Sequence, residues 1–209
     1  MKDRFWLALA LAALHMFGPG LAAQEQMAES WEATVNRTQP PDKILDAIGL
    51  KPGMVVGEVG AGRGRFTVRL ARRVGPGGLV YANDINGDAL DYLARRCRAN
   101  DLGNVRIIAG EIHAPGFPPR SLDVAFMINV YNSFEDPVRY LRNIEPALKP
   151  GGILAIVLVD PIKFPGIPPR SATREQFLAS AEKAGYALEK EETFLVHDGI
   201  YILRPKRGT

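Results

Sequence analysis

Short apolar runs recur along the chain, each followed by a turn signal and then by a stretch with helical spacing. The runs are Val55–Val59, Leu79–Asp84, Asn104–Gly110, Leu122–Asn129 and Ile153–Val159. They are nearly unbroken rather than alternating, which is the pattern of strands covered on both faces. Phe66 to Val74 reads as a helix. So does the stretch after Asn86, with Ala89, Leu90, Leu93 and Ala94 on one face. A third helix follows Asp136 and turns Val138, Leu141, Ile144 and Leu148 inward. Asn86 and Asp136 are N-cap residues, and Pro137 takes a first helical position. Strands that alternate with helices in this way predict a mostly parallel sheet with helices on both faces. Ser171 starts a last helix, Thr173 to Ala184. Strands Tyr186–Val196 and Gly199–Leu203 then form an antiparallel pair turned by His197-Asp198-Gly199.

The first residues follow a different pattern. Met1 to Arg4 is short and net positive, and Phe5 to Phe17 is apolar apart from His15. Gly18-Pro19-Gly20 breaks the run, and Leu21-Ala22-Ala23 supplies small residues. This layout predicts a secretory signal peptide over residues 1–23. The apolar run is shorter than the roughly 20 residues that a stable span needs. The expectation is a periplasmic or secreted protein with no membrane span once the signal is removed. The alternatives are a cytoplasmic protein and one tethered by an uncleaved segment. Residues 24–50 read as a helical cover. A helix over 25–37 carries Met27, Trp31 and Val35 at four-residue spacing, and Asp42 caps a helix from Lys43 to Ile48. Residues 51–209 form the main domain.

Composition narrows the partners. The chain has 209 residues, enough for one α/β domain, and a formal charge of +3. That charge is too mild to argue for nucleic acid. A single cysteine, Cys97, excludes an internal disulfide and a cysteine-built zinc site, and reads as a small buried hydrophobe. The three histidines are scattered. His113, just past the third strand, is most simply an exposed loop residue.

The chemistry centres on Glu58-Val59-Gly60-Ala61-Gly62-Arg63-Gly64-Arg65, between the first strand and its helix. Gly60 can take a positive φ, and Gly62 and Gly64 leave no Cβ between backbone and ligand. A dinucleotide loop places its third glycine where Arg65 stands, which disfavours a nicotinamide oxidoreductase. Asp84 ends the second strand about 20 residues on, the separation of a ribose-binding carboxylate.

The glycine run resembles motif I of the class I S-adenosylmethionine-dependent methyltransferases. Asp84 and the turn Leu148-Lys149-Pro150-Gly151-Gly152 occur in the order that family shows. The resemblance covers about residue 25 to the end, and the small-molecule methyltransferases of ubiquinone/menaquinone-biosynthesis type are similar. It implies a Rossmann-like seven-stranded sheet of order 3-2-1-4-5-7-6, with strand 7 antiparallel. It implies S-adenosylmethionine as cofactor and a small-molecule substrate. The methionine end would lie on Gly60, Ala61, Gly62 and Gly64, with Glu58 helping to hold its ammonium. Asp84, with Ile85 beside it, would take the ribose. Glu111 and Ile112 would meet the adenine, and Asn129 would border the cofactor. Tyr131 and Asn132 would face the substrate. No metal site and no fixed catalytic residue are implied, because methyl transfer rests mainly on alignment. The export pattern keeps a second reading open, an exported module that binds the cofactor or a nucleoside without turnover.

Overall fold

The computed structural model describes residues 21–164 and 171–206. Most of the expected signal peptide, and residues 165–170 of the proline-rich loop, lie outside these. The chain divides into two compact units between Arg37 and Thr38. In the first, helix α1 spans Leu21–Thr38. Trp31, expected on an apolar stripe, is 58% exposed, and Val35 is half-buried. No described helix is long and apolar enough to cross a membrane.

The second unit begins at Thr38 and takes in α2 (Pro41–Ala47). Pro41 holds the first helical position, where a missing N–H costs nothing. Asp42 therefore sits in the first turn instead of capping it. Ile44 and Leu45 are fully buried, so this short helix belongs to the domain core.

The sheet has strands β1 (Val55–Val59), β2 (Leu79–Asp84), β3 (Val105–Ala109), β4 (Leu122–Ile128), β5 (Leu148–Val159), β6 (Tyr186–Glu192) and β7 (Asp198–Pro205). Their order is β3-β2-β1-β4-β5-β7-β6, and β7 runs antiparallel to both neighbours. Order and direction are those expected. The remaining helices are α3 (Thr67–Val74), α4 (Gly87–Ala99), α5 (Pro137–Ile144) and α6 (Arg174–Lys183). One apolar layer joins α5 and α6 to the sheet through Leu141, Ile144 and Phe177. Another joins α2 and α3 to it through Leu45, Phe66 and Leu70. Leu90 and Leu93 of α4 cluster with Ala82, and Cys97, 7% exposed, packs among them as a small hydrophobe.

Three boundaries differ from expectation. Leu148 is not on the inner face of a helix; it begins β5 opposite Leu122, and the Lys-Pro-Gly-Gly turn is an irregularity within that strand. Helix α6 starts from Thr173 rather than Ser171, through a reciprocal capping box with Gln176. The His197-Asp198-Gly199 segment is not the hairpin turn. Strand β6 ends at Glu192, Leu195 is buried in the connection, and Asp198 is already paired with Val159.

Candidate active site

The parallel strands point their carboxyl ends at one edge, where open α/β sheets bind ligands. There the chain leaves β1 through the glycine loop and enters α3. Gly60 has φ +70°, and a Cβ on it would meet Val130 Cγ2 at 2.7 Å. Only glycine suits both conditions. Gly62 lies on the open side of the loop, where a Cβ would meet nothing within 4 Å, and its N–H donates to Asp84 Oδ2 at 2.7 Å. The Ala61 N–H donates to the Asn83 carbonyl at 2.8 Å, which ties the loop to β2. Gly64 does not face an open ligand surface as expected. A Cβ there would run into Leu93, so this glycine lets the loop pack on α4.

Asp84 is half-buried, and its second oxygen accepts from the Asn86 N–H at 2.9 Å. Each oxygen has a lone pair left for a ligand hydroxyl. Asn86 in turn caps α4 by accepting from Ala89 N–H at 3.0 Å. Asp84 is thus set by the loop on one side and the helix start on the other.

A cavity of about 110 Å³ opens here. Gly60, Asp84 and Ile85 line it from β1 and β2. Glu111 and Ile112 line it from beyond β3, and Phe134 and Tyr140 from beyond β4. Ile85 and Ile112 are 68% and 63% exposed. Two isoleucines held out in solvent beside carboxylates suit a flat ring that also offers hydrogen-bond donors. Phe134 and Tyr140, stacked 4.0 Å apart, form the floor. Sequence reasoning missed Tyr140 as part of the site, and no local signal marks it. A larger hollow of about 890 Å³ lies at the opposite edge, around Arg120, Lys149, Arg204 and Lys206. Three of these cations, Lys149, Arg204 and Lys206, are ion-paired, with Asp123, Glu189 and Glu182 respectively. The smaller cavity is the one that the glycine loop borders, at the carboxyl ends of the parallel strands.

The other predicted residues fall elsewhere. Glu58 is 2% exposed and sits behind the loop, its Oε2 accepting from Thr67 Oγ1 at 2.6 Å. Burial pushes its carboxyl up to about 8, against the opposing pull of the Thr67 hydrogen bond and Arg65. It does not line the cavity and presents no open face for an ammonium group. Tyr131 is 4% exposed, its ring edge-on to Phe177 at 5.0 Å. It faces the α6 layer rather than a substrate, because burying that ring against Phe177 outweighs exposing one hydroxyl. Asn132 is exposed, and its Oδ1 accepts from Ala172 N–H at 3.0 Å, anchoring the chain before α6. Asn129 follows β4 with φ +58°, a left-handed conformation that asparagine tolerates. Its side chain meets Gln39 rather than the cavity. The two loop arginines diverge: Arg63 lies over the Tyr92 ring at 5.2 Å, and Arg65 reaches Gln39. His113 is half-buried rather than exposed, and its carbonyl accepts from Asn143 Nδ2. Among the described residues, no group of three or more His, Cys, Asp or Glu side chains is placed to hold a metal ion.

Fold and site together define a methyltransferase-type α/β domain, and comparison with known proteins agrees. Residues 50–194 match the model of a methyltransferase domain family, and the chain belongs to that family. It is 31% identical to the ubiquinone/menaquinone biosynthesis C-methyltransferase of Vibrio campbellii over 124 residues, 56% of this chain and 48% of that protein. It is 33% identical to the nocamycin O-methyltransferase of Saccharothrix syringae over 108 residues, 50% of this chain and 39% of that protein. The chain thus spans about half or less of the length of these curated relatives. A SAM-dependent methyltransferase structure from Aquifex aeolicus superposes with a TM-score of 0.72 at 27% identity, covering 78% of this chain and 88% of that one.

Proposed function

We propose that the protein is an S-adenosylmethionine-dependent methyltransferase acting on a small molecule. The observation that carries this reading is the convergence of Asp84, Ile85, Glu111 and Ile112 on one cavity beside the glycine loop. These residues suit an adenosine. Asp84 accepts from ribose hydroxyls, Glu111 accepts from an exocyclic amine, and the two isoleucines sandwich the base. The relatives' names and the matched family support the same cofactor.

When bound, the cofactor supplies a methyl group on an already cationic sulfur, so the reaction needs alignment more than activation. The chain's own residues provide that alignment. Asp84 and the Gly62 N–H fix the loop, and Gly60 lets it pass against Val130. Phe134 and Tyr140 give the cavity a stacked aromatic wall. The relatives methylate carbon in one case and oxygen in another by their names, so the acceptor class is kept at small molecule.

Release of S-adenosylhomocysteine from the purified chain, with a panel of quinols, phenols and amines, tests turnover. Release above background with any of them is expected. Cofactor binding with no release from any acceptor favours the second reading, a binding module without turnover, which the export pattern of residues 1–23 motivates. That pattern carries its own proposal, that the protein is exported and processed. Mass spectrometry of the protein from its host should give a mature start at Ala23 or Gln24. An intact Met1 in the soluble cytosolic fraction refutes it.

A further inference from the structure

Gln39 stands where the sequence offers no motif, just ahead of the two prolines that open α2. It is 5% exposed. Its Nε2 donates to Asn129 Oδ1 and to Asp198 Oδ1, each at 3.0 Å. Its Oε1 accepts from Arg65 Nη2 at 2.6 Å and from Asn129 Nδ2 at 3.1 Å. An amide has two N–H donors and two acceptor lone pairs, and all four are used. One side chain therefore joins the glycine loop, the end of β4 and the start of β7. Gln39 and Asp198 both lie outside the residues that match the family model, so the shared family core does not account for them.

The sheet order shows what this junction faces. Asp84 and Glu111 hold the β2 and β3 side of the edge, and the glycine loop after β1 comes next. Asn129 follows β4, and Asp198 pairs with Val159 at the end of β5, on the far side of that loop. A cofactor with its adenosine toward β2 directs its other end toward β4. That end carries a carboxylate and an ammonium group. A guanidinium is suited to the carboxylate, and an amide oxygen to the ammonium. Arg65 and Asn129 supply these groups. Both retain solvent exposure, while Gln39 and Asp198 behind them are buried.

We propose that Gln39 is a positioning residue of the cofactor site, holding Arg65 and Asn129 toward the amino-acid end of bound S-adenosylmethionine. The proposal rests on the cofactor reading above and adds a specific division of labour within it. Buried Asp198 backs the amide by accepting its second N–H, which fixes the side chain's orientation. The Gln39 carboxamide thus sets two groups, Arg65 and Asn129, that arrive from segments 64 residues apart in sequence.

The test compares two ligands on the full chain by titration calorimetry. S-adenosylhomocysteine carries the amino-acid end; 5′-methylthioadenosine has the same adenosine and thioether without it. Gln39→Leu should weaken S-adenosylhomocysteine binding by about 10-fold or more, the loss expected of misplaced charge-assisted hydrogen bonds, with methylthioadenosine affinity held within about 2-fold. A proportional loss for both ligands would show a merely structural role and overturn the proposal, as would no loss for either. Should Gln39→Leu fail to fold by circular dichroism, Arg65→Met leaves the buried Gln39–Asp198 contact in place and should show the same selective loss. Proportional loss or none in that variant also overturns it. Wild-type protein that binds neither ligand sinks the cofactor reading itself, a result distinct from failure of the Gln39 role.

Discussion

Asp84→Ala should lower affinity for S-adenosylhomocysteine by about 100-fold or more in calorimetry. Two ribose hydroxyls lose a charged acceptor, and hydrogen bonds to a charged group contribute roughly 1.5–3 kcal/mol each. The loop also loses its anchor, because Gly62 N–H and Asn86 N–H both donate to this carboxylate. Asp84→Asn should not restore binding. An asparagine has one acceptor oxygen, so its NH2 group would face one of those two N–H donors. Unchanged affinity in Asp84→Ala would remove Asp84 from the site.

Glu58→Gln should stabilise the ligand-free protein, and by more as pH rises. The folded carboxyl is pushed up to about 8 by burial, while an unfolded glutamate titrates near 4.5. Between those values the folded state holds a proton that the unfolded state has released. Stability therefore falls as pH rises across that window, by about 1.4 kcal/mol per pH unit for one group, and levels off above it. Glutamine carries no charge to bury and can still accept from Thr67 Oγ1. The difference in melting temperature between variant and wild type should be small near pH 4.5 and largest at pH 8 and above, reflecting a few kcal/mol in order of magnitude. Arg65, Arg96 and Asp84 act on Glu58 electrostatically and remain in both proteins, so the comparison isolates the one carboxyl. A pH-independent difference would contradict the buried, protonated state.

The sheet was legible because its signals are local and redundant. Each of the five parallel strands holds an apolar run with Gly, Pro or Asn at one end or both, and the helices after Asn86 and Asp136 carry their own caps. The candidate cavity was legible in part for the same reason. Asp84, Ile85, Glu111 and Ile112 lie at or just beyond strand ends, and a parallel sheet brings strand ends together. Residues whose direction depends on distant packing were not legible. Tyr131 follows β4 as a substrate-facing residue would, yet Phe177 of α6, far along the chain, draws it inward. Glu58 has the motif's spacing, but its orientation is decided by Thr67 and the α3 start. Asp198 lies in a His-Asp-Gly string with turn chemistry. The connection is longer than that string, and the residue is the first of a buried strand. Gln39 has no pattern at all, since its role arises from contacts 90 and 159 residues away.

Calorimetric titration of the folded wild-type chain with S-adenosylhomocysteine asks whether the protein holds this cofactor at all. Saturable binding of one ligand per chain, displaced by S-adenosylmethionine and not reproduced by NAD, is the predicted result. No heat and no thermal shift at millimolar ligand, in a sample shown to be folded, would contradict it.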